Sequence, residues 1–301
     1  MRISFACLML LIASSIHAKP LHVSLILSDS NLPYRLFADV LKSKLLASKA
    51  EVDVAESMVV EDRQRDLIIA VGLKAAVMAT AQSGTPVLVA MIPEENYREL
   101  AEQRTLAGGK RMLSAIYLDQ PLGRRMDFMR ATLPGKPRVG LLYSQGANID
   151  IDGLHKEFER RGVTLVARQL GISDRLVPVL DALLADSDVL FGMPDRAIYG
   201  GGNIRNIMLA SYRRNVPMVG ISKAYVTAGA LCAVFSTPEQ LAAQTGEAVV
   251  AFAQSRQLGT PQYPADFSIE LNLPVARSLG INLPTPEVIR ARMKLNAESS
   301  R

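Results

Sequence analysis

Groups able to do covalent chemistry are sparse in this chain, which has only three histidines in 301 residues. Beyond the first eighteen residues only His22 and His155 remain, one in an apolar run and one in a helical stretch, and neither has partners at metal-ligand spacing. No G-x-S-x-G turn is present to present an esterase-type serine. Gly200-Gly201-Gly202 precedes a helical segment and could offer N–H groups to an anion. Its spacing fits neither the phosphate loop nor the dinucleotide fingerprint, so a turn is the plainer reading. Cys232 lies in the run ALCAVF and reads as a small buried hydrophobe. The residues therefore give little support to an enzyme, and no catalytic residue, cofactor or metal is expected.

What the chain does offer is a series of polar or pocket-forming residues at the carboxyl ends of strand-like runs. In open parallel sheets ligands bind there, because loops and helix N-termini converge above the sheet edge. Ser28, Asp29 and Ser30 follow LHVSLIL; Gly72 follows DLIIAV; Ile92 and Glu94 close PVLVAMI. Ser144 ends RVGLLYS, Asp195 follows DVLFGMP, Ser222-Lys223 follow PMVGI and Phe235 closes ALCAVF. Taken singly, each also reads as a turn or cap residue, with Ser30 and Asp119 as obvious helix caps. The joint placement is what informs: if two lobes face each other, these ends line one cleft.

The elements that would position them alternate regularly. Short apolar runs end in Gly, Ser, Asp or Pro, and each precedes a segment of helical period. Leu36, Phe37, Val40, Leu41 and Leu45 repeat at helical spacing, as do Leu122, Met126, Met129 and Leu133. Further helices are expected over Leu176 to Leu184 and Asn203 to Arg213. Thr237-Pro238-Glu239-Gln240 has the form of a capping box with proline in the first turn. Strands this apolar, separated by helices, imply parallel sheets covered on both faces. There are too many strands for one sheet. The fold class expected is α/β, with two doubly wound parallel-sheet lobes.

Residues 1–18 read as a secretory signal peptide. Arg2 supplies the positive start, FACLMLLIA the apolar core and SSIHA a cleavage point after Ala18. The run is too short to span a bilayer. Cys7 precedes most of the apolar core, so lipid attachment is not expected. Loss of the leader would lower the formal net charge of +5 by one. The basic residues are dispersed, with short clusters such as Arg124-Arg125, so no nucleic-acid partner is expected. Cys232 alone follows the leader, so no internal disulfide can form.

The chain resembles the substrate-binding proteins of ABC transporters, in the group with the type I periplasmic fold that includes tryptophan- and phenylalanine-binding members. The stretches that carry the resemblance are LDQPLGRRMDFMRATLPGKPRVGLLYS, DVLFGMPDRAIYGGGNIRNIMLASYRRNVPMVGISKAYVTAGALCAVFSTPEQLAAQTGEAVVAFAQ and IELNLPVARSLGINLP. It implies a bilobed clamp whose chain crosses a three-stranded hinge near residues 115–118, 235–236 and 264–267. The expected lobes are 19–115 plus 236–264 and 116–235 plus 265–301. It also implies a ligand contact at Asp195, with Ser28, Gly72, Ser144 and Ser222 at loop positions that meet ligand. Tyr34, Tyr117 and Tyr199 are the aromatics best placed for a pocket.

The chain departs from the pattern in three places: a short interval between VDVAE and DLIIAVG, IPEEN in place of a T-D-P-V turn, and SAIY in place of T-G-V. The expected function is therefore that of a monomeric periplasmic solute-binding protein that takes a small ligand, such as an amino acid, and serves an ABC permease. The alternative is a periplasmic subunit that presents ligand to a membrane sensor.

Overall fold

Strands that are apolar at nearly every position must be covered on both faces, and both sheets of this chain are built largely from such strands. The computed structural model describes residues 20–48, 50–59, 65–82, 84–106, 112–135, 137–200 and 202–299. The leader, 1–18, lies outside the described residues. The first sheet comprises β1 (Leu21–Leu27), β2 (Val52–Ser57), β3 (Leu67–Val71), β4 (Val87–Ile92) and β5 (Leu113–Tyr117). All pairs are parallel, in the order β2-β1-β3-β4-β5. Every residue of β3 is buried. Helices α1 (Leu32–Ala47), α2 (Leu73–Gln82) and α3 (Glu94–Leu106) make the crossovers. The connection from β2 to β3 contains no helix among its described residues.

Beyond α4 (Leu122–Thr132) a second sheet follows, with β6 (Arg138–Ser144), β7 (Thr164–Leu170), β8 (Val189–Phe191), β9 (Met218–Gly220), β10 (Cys232–Phe235) and β11 (Ser268–Leu271). Its order is β11-β10-β9-β8-β6-β7, parallel except for the β10–β11 pair. The helices between these strands are α5 (Ile151–Arg160), α6 (Leu176–Ala185), α7 (Arg196–Tyr199), α8 (Asn203–Arg213), α9 (Lys223–Ala228) and α10 (Pro238–Ser255). Then α11 (Leu273–Ser278) and α12 (Pro286–Ser299) follow β11. The α/β architecture with two mostly parallel sheets agrees with the sequence pattern. The expected capping box is present: Thr237 Oγ1 accepts from the Gln240 N–H while the Gln240 side chain accepts from the Thr237 N–H.

The chain passes three times between the sheets. After β5 it enters α4, whose Met126, Phe128 and Met129 join the core of the second sheet. After β10 it enters α10, whose Leu241, Val249 and Phe252 pack into the core of the first. After α10 it returns to β11, and Ile289 and Met293 of α12 complete the second core. One hydroxyl ties these passages together. Ser236 Oγ accepts from Gln120 Nε2 at 2.7 Å and donates to the Asp266 carbonyl at 2.5 Å. Arg124 adds a hydrogen bond to the Pro264 carbonyl at 2.7 Å.

In each sheet the strand order reverses once, between β1 and β3 and between β6 and β8. At such reversal points successive crossovers leave the sheet on opposite faces, opening a crevice above the carboxyl ends.

Candidate functional site

The Gly192-Met193-Pro194-Asp195 turn leaves β8 beside the reversal point of the second sheet. Asp195 caps α7, its Oδ1 accepting from the Ala197 and Ile198 N–H groups at 3.0 and 3.4 Å. Its Oδ2 accepts from the Ser144 N–H at 2.7 Å, tying the end of β6 to the start of α7. Ser222 stands at the N-cap of α9 without a side-chain capping bond, and Phe235 ends β10. Asp195, Ser222 and Phe235 line one cavity of about 670 Å³, which also receives residues from the first sheet.

The opposite wall comes from the ends of β4 and β5. A bulge at Met91, whose φ of 57° is left-handed, shifts the register of β4 and redirects the chain into Pro93 and Glu94. Asp119 Oδ2 accepts from the Glu94 N–H at 2.5 Å and so satisfies the first turn of α3. The sequence suggested that Asp119 caps the helix following it; instead α4 has Pro121 at its N-cap and no side-chain capping bond. Burial raises the Asp119 pKa, opposed by the Glu94 N–H and by the charge of Arg125. Tyr263 donates to the Glu94 carboxylate and meets Tyr117 edge-on at 5.2 Å. Burial, assisted by Glu94, pushes the Tyr117 phenol up to about 12.

Arg125 completes the cavity wall from α4. It shares a helix face with Leu122, three residues before it, and Met129, four after it, which turns it inward and leaves it 7% exposed. Its guanidinium lies over the Phe191 ring, 4.3 Å from the centroid. It donates to the Gly192 carbonyl and, at 3.5 Å, to Met193 Sδ. Burial lowers its pKa to about 10, with Asp119, Tyr199 and Tyr225 acting in the opposite direction, so it remains charged at neutral pH. Tyr199 and Tyr225 line the same wall, and burial raises both phenols.

Ser28, Tyr34, Gly72, Ile92, Tyr117 and Ser144, also candidates from the sequence, do not line this cavity. Ser28, Tyr34 and Gly72 meet at the reversal point of the first sheet: a Cβ on Gly72 would stand 2.6 Å from Tyr34 Oη and 2.7 Å from Ser28 Oγ. Ser28 Oγ is occupied there, accepting from the Ala75 N–H at 2.9 Å. Ile92 is fully buried in the core of the first sheet, and a closed apolar core has no access to solute. Tyr117 packs between Tyr97 and Tyr263, and Ser144 turns its N–H to Asp195. Arg125 was not singled out from the sequence, although a charge on the apolar stripe of a helix is a readable signal.

The chain matches the family model for ABC transporter substrate binding proteins over residues 38–292. It belongs to that family. No curated protein matches the chain. Among solved structures it is similar to the ligand-free, open form of CD0873 from Clostridium difficile, a substrate binding protein with adhesive properties. That match has 15% identity, covers 88% of this chain and 97% of that one, and has a TM-score of 0.69. A conserved domain protein from Vibrio cholerae shares 17% identity, with 91% and 98% covered and a TM-score of 0.61. An ABC domain from Streptococcus pneumonia in complex with L-Trp shares 16%, with 90% and 98% covered and a TM-score of 0.60. At these identities the likeness is one of fold. Substrate-binding proteins of this family bind small ligands and work with ABC permeases. Among the described residues no helix is long and apolar enough to cross a membrane, and no cluster of metal-ligating side chains occurs.

Proposed function

We propose that this substrate-binding protein is exported through its residues 1–18 and takes a small polar or aromatic solute, such as an amino acid, from the periplasm. The solute would occupy the cavity between the sheets. The carrying observation is that cavity of about 670 Å³, walled by both sheets and backed by passages joined at Ser236. Its size suits a small organic molecule, and tyrosines and Phe235 supply apolar surface beside carboxylates and Arg125. On this reading 19–115 plus 236–264 and 116–235 plus 265–301 are lobes that rotate about the passages as rigid bodies. Asp195, Ser222 and Phe235 are placed to meet the solute. Ser28, Tyr34 and Gly72, at the other reversal point, would meet it only after closure.

The closed, loaded monomer is then the form offered to an ABC permease. Presentation to a membrane sensor is the second reading. It rests on the first lobe, where the β2–β3 connection has no helix among its described residues and so offers an altered face for docking. Small-angle scattering on the purified chain, with and without pooled amino acids and small carboxylic acids, tests the clamp. The expected result is a smaller radius of gyration and a raised melting temperature with at least one pool. Unchanged scattering and melting with every pool would overturn it.

A further inference from the structure

Arg125 is a buried cation that the protein does not neutralise by contact. Its partners, the Gly192 carbonyl, Met193 Sδ and the Phe191 ring, are all uncharged. Among the described residues no carboxylate oxygen lies within 4.0 Å of its guanidinium. Asp119 acts on it through space alone, with Oδ2 committed to the Glu94 N–H. Arg161 shows the contrast. Its side chain, also largely buried, is paired with both Glu157 and Asp127. A charge withdrawn from water without a counterion is costly, and a counterion arriving with a ligand recovers that cost. The guanidinium fork has five N–H donors, more than its two protein acceptors use, and its planar geometry matches a carboxylate.

We propose that Arg125 receives the carboxylate of the bound solute, so that the cargo is an organic acid whose apolar or aromatic body lies against Tyr199, Tyr225 and Phe235. This deepens the reading of the cavity as a solute site and rests on it. A carboxylate fits better than a phosphate because Glu94, Glu95, Asp119 and Asp195 also line the cavity and would repel a dianion. Those same carboxylates leave room for a donor or ammonium elsewhere on the solute.

Calorimetry and melting shifts with matched compounds test this. The probes are 3-phenylpropanoate, L-phenylalanine and 4-methylpentanoate, the primary amide of each, phenethylamine, and a set of neutral sugars. At least one acid should bind the wild-type chain at least thirtyfold more tightly than its amide. Arg125→Met should weaken that acid roughly a hundredfold, within the range for breaking a buried charge pair, and its amide far less. Arg125→Lys should fall between them. Without ligand, Arg125→Met should melt no lower than wild type, because an apolar chain replaces an unpaired charge. If Arg125→Met fails to fold, the acid–amide comparison on the wild type and the lysine variant decides the matter. Equal binding of acid and amide, or binding of sugars or the amine without any acid, overturns the carboxylate assignment and leaves the solute site standing. Failure of every compound to bind overturns both.

Discussion

Gln120 and Ser236, 116 residues apart in sequence, share a buried hydrogen bond of 2.7 Å at the point where two of the three passages between the sheets run side by side. Because Ser236 Oγ also reaches the Asp266 carbonyl, one hydroxyl joins all three passages. A pivot needs such a point: the passages must hold together while the bodies on either side rotate.

Ser236→Ala removes that joint. The Gln120 side chain, 7% exposed, would lose its acceptor, and the Asp266 carbonyl a donor. The expected loss is about 1–3 kcal/mol of stability, the cost of leaving a buried polar group unsatisfied. Urea unfolding of the two proteins measures it. A midpoint equal to wild type would show that water replaces the hydroxyl without cost.

Asp195→Asn separates the structural work of this residue from any contact with solute. Asparagine caps a helix nearly as well as aspartate, so a capping role alone would leave stability unchanged. The structure adds a second duty, acceptance by Oδ2 from the Ser144 N–H. Asparagine has one acceptor oxygen, so keeping the α7 cap sets its amide N–H against the Ser144 N–H. We expect about 1–3 kcal/mol of destabilisation even without ligand, read by thermal melting. An unchanged melting temperature would reduce Asp195 to an ordinary cap.

Gly72→Ala should destabilise more than a loop glycine usually does. The backbone there has φ +83°, and a methyl group would stand 2.6 Å from Tyr34 Oη and 2.7 Å from Ser28 Oγ. Left-handed strain alone costs about 1–3 kcal/mol, and the displaced Ser28 would loosen its bond to the Ala75 N–H. Hydrogen exchange at Ala75 should speed up in the variant. Unchanged exchange and melting would contradict the crowding.

Asp119 gives a pH signature. Burial raises its folded pKa above the ordinary 3.8, against the pull of the Glu94 N–H and Arg125. The native state therefore holds a proton where the unfolded state has lost it. Its contribution is complete below 3.8 and is lost as pH rises through the raised folded value. Asparagine cannot titrate, so the stability of Asp119→Asn relative to wild type should climb with pH across that window. Denaturant midpoints at several pH values test it, and parallel curves would contradict the raised pKa.

Most of the fold was legible because it is written in short-range chemistry. The β3 strand is apolar throughout, and Asn203 to Arg213 has helical period and appears as α8 with those bounds. The capping box at Thr237 is a local motif. By contrast, α3 is highly charged and shows little apolar stripe, with Tyr97 and Leu100 as its main buried residues, so its helical period is hard to read from residue types. The site was half legible. Strand-end reasoning led to Asp195, Ser222 and Phe235, but also to Ser28 and Gly72, which close on Tyr34 at the other reversal point. In the sequence Arg125 stands out only as part of a short basic cluster with Arg124. Only the phase of α4 separates them, since Arg125 falls in line with Leu122 and Met129.

The central claim is that the cavity between the sheets holds a small solute, and retention from the host's own metabolites tests it most directly. Wild-type chain and Ser222→Trp, whose indole would fill the cavity where Ser222 lines it, would each be equilibrated with a small-molecule extract and examined by native mass spectrometry. The account predicts one retained small molecule per wild-type chain and none on the tryptophan variant. The same molecules on both proteins, or none on either, would contradict it.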